Sequence, residues 1–241
     1  MGTVYSIRGT NGSGKTTLAR RFLPPNLKGQ YAKGEGGDTG GPVDLCFYPS
    51  PTKTDPDREK RVEGYIRLTK ALGTVGAVGS YDASCGGMDK IPSFEIQRNA
   101  ISYMLAADRI NCDHVIAEGL LASGVYGSWA DYARLLAGQG HRYLFIYLHT
   151  PLDVCVERVR ARQASVGKAG KDFNVLQVET MMGRAMRGRA AAMRDGMHVY
   201  DLPPSNDTNV LAAMLTDIML DNQAGQALRA KGAGPLGLVE P

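Results

Sequence analysis

Gly9-Thr10-Asn11-Gly12-Ser13-Gly14-Lys15-Thr16 decides the fold of this 241-residue chain. The octapeptide follows a strand-like run, Thr3-Val4-Tyr5-Ser6-Ile7, and precedes the helix-forming Thr17-Leu18-Ala19-Arg20-Arg21-Phe22. Motif and context both match G-x-x-x-x-G-K-[ST], the P-loop that cradles phosphates. Its glycines open backbone angles closed to other residues, so successive N–H groups can turn toward one anion. The helix behind it adds the positive end of its dipole. Gly9, Thr10, Asn11, Gly12, Ser13, Gly14, Lys15, Thr16 and Thr17 are the expected nucleotide-binding set, with Lys15 on the β- and γ-phosphates and Thr16 on Mg²⁺. The sequence therefore predicts binding of a nucleoside triphosphate. The fate of the phosphate must be read from other residues.

The chain is long enough for one α/β domain with a substantial core. A hydrophobic content of 43% and a charged content of 22% are those of an ordinary globular protein. The net charge of +4 suits phosphate-rich ligands without arguing by itself for nucleic acid. Cys46, Cys85, Cys112 and Cys155 lie far apart with no C-x-x-C pair, so reduced thiols in a cytoplasmic protein are expected. No apolar run approaches the roughly 18 residues of a membrane span, and the N-terminus shows no secretory signal pattern. Met1-Gly2-Thr3-Val4-Tyr5-Ser6 fits the loose myristoylation pattern, but a P-loop requires these residues as its buried first strand.

Further along, Pro24-Pro25 stops the first helix, and residues 28–42, rich in glycine, read as a mobile loop. Val43–Tyr48 suggests a short strand, and Asp57–Leu72 a charged amphipathic helix with Val62, Tyr65, Ile66 and Thr69 at helical spacing. Thr74–Ser80, His114–Ala117 and Tyr143–Leu148 are apolar runs suited to buried parallel strands. Helices are expected at Ser93–Ala107, Ser128–Leu136, Leu152–Gln163, Val175–Arg194 and Asn209–Leu220, and a last strand at Met197–Tyr200. This alternation predicts an α/β P-loop NTPase fold of three layers. The expected sheet is mostly parallel and five-stranded, with helices on both faces and a helical lid at about 158–190. Residues 1–221 form the expected domain and 222–241 a flexible tail.

In such a sheet, ligands sit beyond the carboxyl ends of the strands. Asp82 stands there after Thr74–Ser80, and Glu118 after His114–Ala117. Phosphoryl transfer needs positioning, a cation, and a group that orients the acceptor or takes its proton. Asp82 is the first choice for the proton acceptor and Glu118 for the Mg²⁺ shell, although the two assignments can be exchanged. Asp89 competes as a cap for the helix that begins near Ser93. Cys85-Gly86-Gly87 offers a close backbone approach to a flat ligand, or only a tight turn. Arg158, Arg160 and Arg162, then Lys168 and Lys171, then Arg184, Arg187, Arg189 and Arg194, form a basic segment. Arg158 and Arg162 share a helix face and are expected to close over the triphosphate as a lid; the competing reading is a solvated charged face. The four histidines, His114, His141, His149 and His198, show no ligand spacing and suggest structural roles.

Over most of residues 1–221 this pattern resembles the nucleoside monophosphate kinase and thymidylate kinase group. More specifically, three sets of residues are similar to the bacteriophage 5-hydroxymethyluracil DNA kinases. They are Gly79-Ser80-Tyr81-Asp82 with Cys85-Gly86-Gly87-Met88-Asp89, Glu118-Gly119-Leu120-Leu121 with Tyr126-Gly127, and Arg158-x-x-x-Arg162 with Phe173-Asn174. That resemblance implies an ATP- and Mg²⁺-dependent kinase acting in host cytoplasm, with Lys15, Asp82, Glu118, Arg158 and Arg162 as its catalytic set. The implied acceptor is the hydroxymethyl group of a modified pyrimidine in DNA, on the way to hypermodified thymidine. The Asp-Arg-aromatic motif of thymidylate kinases is absent, and Glu118-Gly119 stands in its place. A base in duplex DNA must be extruded to be reached, which makes Tyr81, Tyr126 and Trp129 stacking candidates. Arg184, Arg187 and Arg189 are then candidates for backbone phosphates.

Two alternatives stand beside this one: a kinase of a free nucleotide or other small molecule, and a P-loop ATPase that drives a partner. The chain carries no Asn-Lys-x-Asp guanine motif, since Thr52-Lys53-Thr54-Asp55 is only a superficial echo, and no Asp-Glu pair ends a strand. The lid-like arginines favour the kinase. The oligomeric state is not legible.

Overall fold

A computed structural model describes residues 1–24, 27, 39–50, 55, 58–81, 86–165, 167 and 174–224. Every residue of β1 (Thr3–Arg8) is buried. It runs parallel between β5 (His114–Glu118) and β6 (Arg142–Leu148), with Val4 opposite Val115 on one side and Tyr143 on the other. β4 (Gly73–Val78) adds parallel to β5, and β7 (His198–Leu202) parallel to β6. These five strands form the expected parallel core.

The sheet is larger than five strands. β2 (Thr39–Pro49) and β3 (Glu59–Thr69) form an antiparallel hairpin, and β3 pairs antiparallel with β4. The full order is β2-β3-β4-β5-β1-β6-β7, a seven-stranded mixed sheet. The helix expected over Asp57–Leu72 is thus a strand. Val62 and Ile66 pack into the core on one face of the sheet and Tyr65 into the core on the other, as alternation requires. A helix would have gathered all three on one side. Thr39–Pro42 are strand residues too; 28–38, the rest of the expected loop, lie outside the described residues.

Helices cover both faces. α1 (Lys15–Arg20) and α7 (Thr208–Ala224) close the face that carries Tyr5, Ile7 and Ile116, through Leu18, Leu211, Leu215 and Ile218. α2 (Phe94–Leu105), α4 (Gly127–Gly138) and α6 (Val175–Arg194) cover the other, through Ile101, Met104, Trp129, Leu136 and Ala192. Ser93 caps α2, its hydroxyl accepting from the Ile96 amide at 3.2 Å. A short helix not foreseen from sequence, α3 (Leu120–Gly124), follows β5 directly. α5 (Leu152–Ser165) packs on α6 through Cys155, Val156 and Val178, so the two helices read as a lid share a small core of their own. In the loop joining them, 166 and 168–173, with Lys168 and Lys171, lie outside the described residues, as do 225–241 of the expected tail. No helix among the described residues is long and apolar enough to cross a membrane.

Candidate active site

The loop between β1 and α1 is strapped from several directions. The Gly9 amide donates to Ser123 Oγ (3.2 Å), Thr10 Oγ1 to the Val178 carbonyl (2.8 Å), and Thr150 Oγ1 to the Ser13 carbonyl (2.8 Å). Gly12 has φ +79°, and a side chain there would collide with the Cys155 carbonyl oxygen. The loop therefore seats directly on the first turns of α5, which only glycine permits. A cradle held this way needs little reordering to receive an anion.

Lys15 is buried, and its Nζ donates to the Gly9 and Thr10 carbonyls at 3.0 and 2.9 Å. Thr16 Oγ1 donates to Glu118 Oε1 at 2.9 Å, joining the start of α1 to the end of β5. Burial pushes the Glu118 carboxyl up to about 7, against the pull of Lys15 and the Thr16 hydrogen bond. Burial likewise lowers Lys15, and the charges of Glu118 and Asp89 oppose it. Burial thus disfavours the charged form of both groups.

A cleft of about 330 Å³ opens above these residues. Asn11, Gly12, Ser13, Gly14, Lys15, Thr16 and Thr17 line one wall. Gly9 and Thr10 lie behind it and serve to hold the loop. Arg158 and Arg162 of α5 line another wall, and Arg158 bridges the Gly12 carbonyl (3.4 Å) and Asn206 Oδ1 (3.2 Å). Ser205, from the turn after β7, and Thr208, at the start of α7, also line the cleft.

The cleft is also lined by a residue that the sequence offers as a helix cap. Asp89 stands in a single 3-10 turn, Met88–Lys90, and lines the cleft with Glu118. Gly87 brings it there: its amide donates to the Ser80 carbonyl (2.8 Å), and its φ is +69°. A Cβ on Gly87 would run into the Glu118 carbonyl and carboxylate. Of the Cys85–Gly87 run, Gly87 packs its backbone against Glu118. Asp82 and Cys85 lie outside the described residues.

Several expected contacts are corrected. Trp129 is fully buried among Phe94, Tyr132 and Tyr143, and Tyr81 is fully buried against Tyr65, so neither is placed to stack on a base. Tyr126 donates its hydroxyl to Asp195 (2.7 Å). Arg189 is committed inside the fold: its Nε donates to Asp201 Oδ1 at 2.7 Å, its Nη2 to Asp201 Oδ2, and His149 Nε2 lies 2.7 Å from the same Oδ1. That cluster fixes α6 to the ends of β6 and β7. Tyr5 OH meets His114 Nδ1 at 3.0 Å, and the Gly2 amide donates to His141 Nδ1 at 3.1 Å. Among the described residues no group of three or more His, Cys, Asp or Glu side chains could hold a metal ion alone.

Comparison with known proteins gives a consistent picture, although no protein-family model matches the chain. A "5-hmdU DNA kinase" of Pseudomonas phage PaMx11 is 32% identical over 160 residues, covering 66% of this chain and 69% of the relative. The protein of that name in Pseudomonas phage M6 is 26% identical over 202 residues, covering 82% and 89%. "5-hmdU DNA kinase 1" of Salmonella phage ViI is 26% identical over 174 residues, covering 72% and 63%. The extent of these matches and a P-loop cleft of the form a phosphotransferase requires lead to one assignment: the chain belongs to the 5-hmdU DNA kinase family.

Proposed function

We propose that the protein transfers the γ-phosphate of ATP to the hydroxymethyl group of 5-hydroxymethyluracil in DNA. The observation that carries this reading is a strapped P-loop cleft in a chain whose relatives bear that activity in their names. Lys15 gives up its two carbonyl partners to neutralise the β- and γ-phosphates, and the loop amides hold them in line. Arg158 and Arg162 supply positive charge from α5, where charge builds on the transferring group. The adenine seats toward Ser205, Thr208 and Leu211.

The residues suit Mg²⁺. Thr16 Oγ1 and Glu118 Oε1 are adjacent hard oxygens at the phosphate end of the cleft, and Mg²⁺ needs only one or two protein ligands beside water and phosphate. When bound, the ion neutralises phosphate charge. The acceptor's proton goes to a carboxylate of the segment that follows β4, where Asp82 and Asp89 both stand.

Labelled ATP tests the proposal. With duplex DNA containing 5-hydroxymethyluracil, the free mononucleotide and no acceptor offered in parallel, label is expected in the DNA. Label in the mononucleotide alone would establish a small-molecule kinase, and phosphate release indifferent to acceptor would establish an ATPase.

A further inference from the structure

We infer that Asp89 is the catalytic base, the group that takes the proton from the acceptor hydroxyl; this rests on the phosphotransfer reading above. Two carboxylates among the described residues line the cleft, and their surroundings separate their duties. Glu118 is buried and bonded to Thr16, which commits it to the phosphate end. Asp89, lining the same cleft, is exposed and open to an acceptor arriving from solvent.

Its position is built rather than incidental. Asp89 Oδ1 accepts from the Leu120 amide at 2.5 Å, at the start of α3. Gly119 leaves room for that oxygen, since a Cβ there would stand only 3.0 Å from it. Beneath the 3-10 turn, buried Gln97 reaches up from α2 and donates its Nε2 to both the Met88 and Ile91 carbonyls at 3.2 Å. Met88 is fully buried below, and Gly87 pins the turn to Ser80. The turn is thus clamped on both sides. One carboxylate oxygen is fixed, and the other has no hydrogen bond among the described residues. A carboxylate held this rigidly beside a phosphate cradle is pre-oriented for proton transfer.

In the step, the acceptor oxygen forms its bond to the γ-phosphorus while the bond from that phosphorus to the bridging oxygen breaks. That electron pair leaves with ADP, and the hydroxyl proton passes to the second oxygen of Asp89. Gln97 is a positioning residue in this scheme.

The competing role is a cap for α3 and nothing more. Asparagine caps as well as aspartate, so Asp89→Asn keeps the bond to Leu120 and removes only the base. With the full chain, saturating Mg²⁺-ATP and 5-hydroxymethyluracil DNA, Asp89→Asn is expected to lower kcat by about 10²–10⁴-fold, with KM for ATP and the unfolding midpoint unchanged. Asp82→Asn, measured alongside, decides between the two carboxylates: a loss of about 10²–10⁴-fold there with Asp89→Asn unaffected gives the role to Asp82 and overturns the inference. An Asp89→Asn enzyme as active as wild type makes Asp89 a cap and overturns the inference. Recovery of that variant at higher Mg²⁺ makes it a metal ligand and overturns it equally. Both outcomes leave wild-type labelling of DNA intact, so they differ from a failure of the proposed function, in which wild type labels no DNA and the inference falls with it.

Discussion

Thr16 and Glu118 share a 2.9 Å hydrogen bond that ties the first turn of α1 to the last residue of β5. The burial of that carboxyl couples stability to pH. Burial lifts the Glu118 carboxyl from 4.5 to about 7. Between those values the folded protein holds a proton that the unfolded chain has lost, so this group makes stability fall as pH rises through that window. At about 1.4 kcal/mol per pKa unit, the whole window is worth about 3 kcal/mol. Glu118→Gln keeps an acceptor for Thr16 and removes the charge. Denaturant unfolding is expected to find the variant level with wild type at about pH 5 and more stable at about pH 8. Phosphate transfer by the same variant should be largely lost. A wild type and variant that run parallel with pH would show that Glu118 is ionised at no unusual cost.

Gly87 makes a second, sharper demand. Its backbone sits where a side chain is strained, and its α-carbon faces the Glu118 carboxylate. Gly87→Ala is expected to cost about 2 kcal/mol or more and to depress transfer by displacing Asp89 and Glu118. Thermal unfolding reads the first effect and steady-state kinetics the second. An alanine variant with wild-type stability would mean that the turn relaxes without penalty.

Asp201 ties α6 to the end of β7. Burial disfavours its charge, but hydrogen bonds from Arg189 and His149 outweigh that and hold the carboxyl well below its ordinary value. A lowered carboxyl stabilises the fold above its unfolded value of 3.8 and loses that contribution as pH falls through the folded one. Asp201→Asn is therefore expected to destabilise the protein at neutral pH by about 1–3 kcal/mol, the range for a partly exposed ion pair with good geometry. The loss should shrink in acid. Equal destabilisation at every pH would locate the effect in packing rather than in charge.

Arg158 reaches both the Gly12 carbonyl of the P-loop and Asn206 in the turn after β7. Arg158→Ala is expected to lower kcat/KM for ATP by about 10²-fold. Lysine should restore little, because a single ammonium cannot span both acceptors. Full rescue by lysine would reduce the role of Arg158 to bulk charge.

How far the chain could be read in advance follows from where its constraints are local. The P-loop, the buried runs of β5 and β6, and α6 at Val175–Arg194 were all legible, because each is set by its own residues. β3 was not. Its spacing of Val62, Tyr65 and Ile66 suits a helix until β2 and β4 pair with it on either side, and that pairing, which the spacing does not reveal, puts Tyr65 on the opposite face. Glu118 could be placed because it ends an apolar run. Asp89 could not, since it reaches the cleft only through the Ser80–Gly87 bridge and the approach of Gly87 to Glu118. Trp129 and Tyr81 looked like base-stacking aromatics because sequence does not tell a buried ring from an exposed one.

The most direct measurement is mass analysis of nucleosides released from 5-hydroxymethyluracil DNA after incubation with the protein, Mg²⁺ and ATP. The proposed function predicts conversion of the modified nucleoside to its phosphorylated form, dependent on ATP and absent with Lys15→Ala. DNA that returns unmodified nucleosides while ATP is consumed would contradict it.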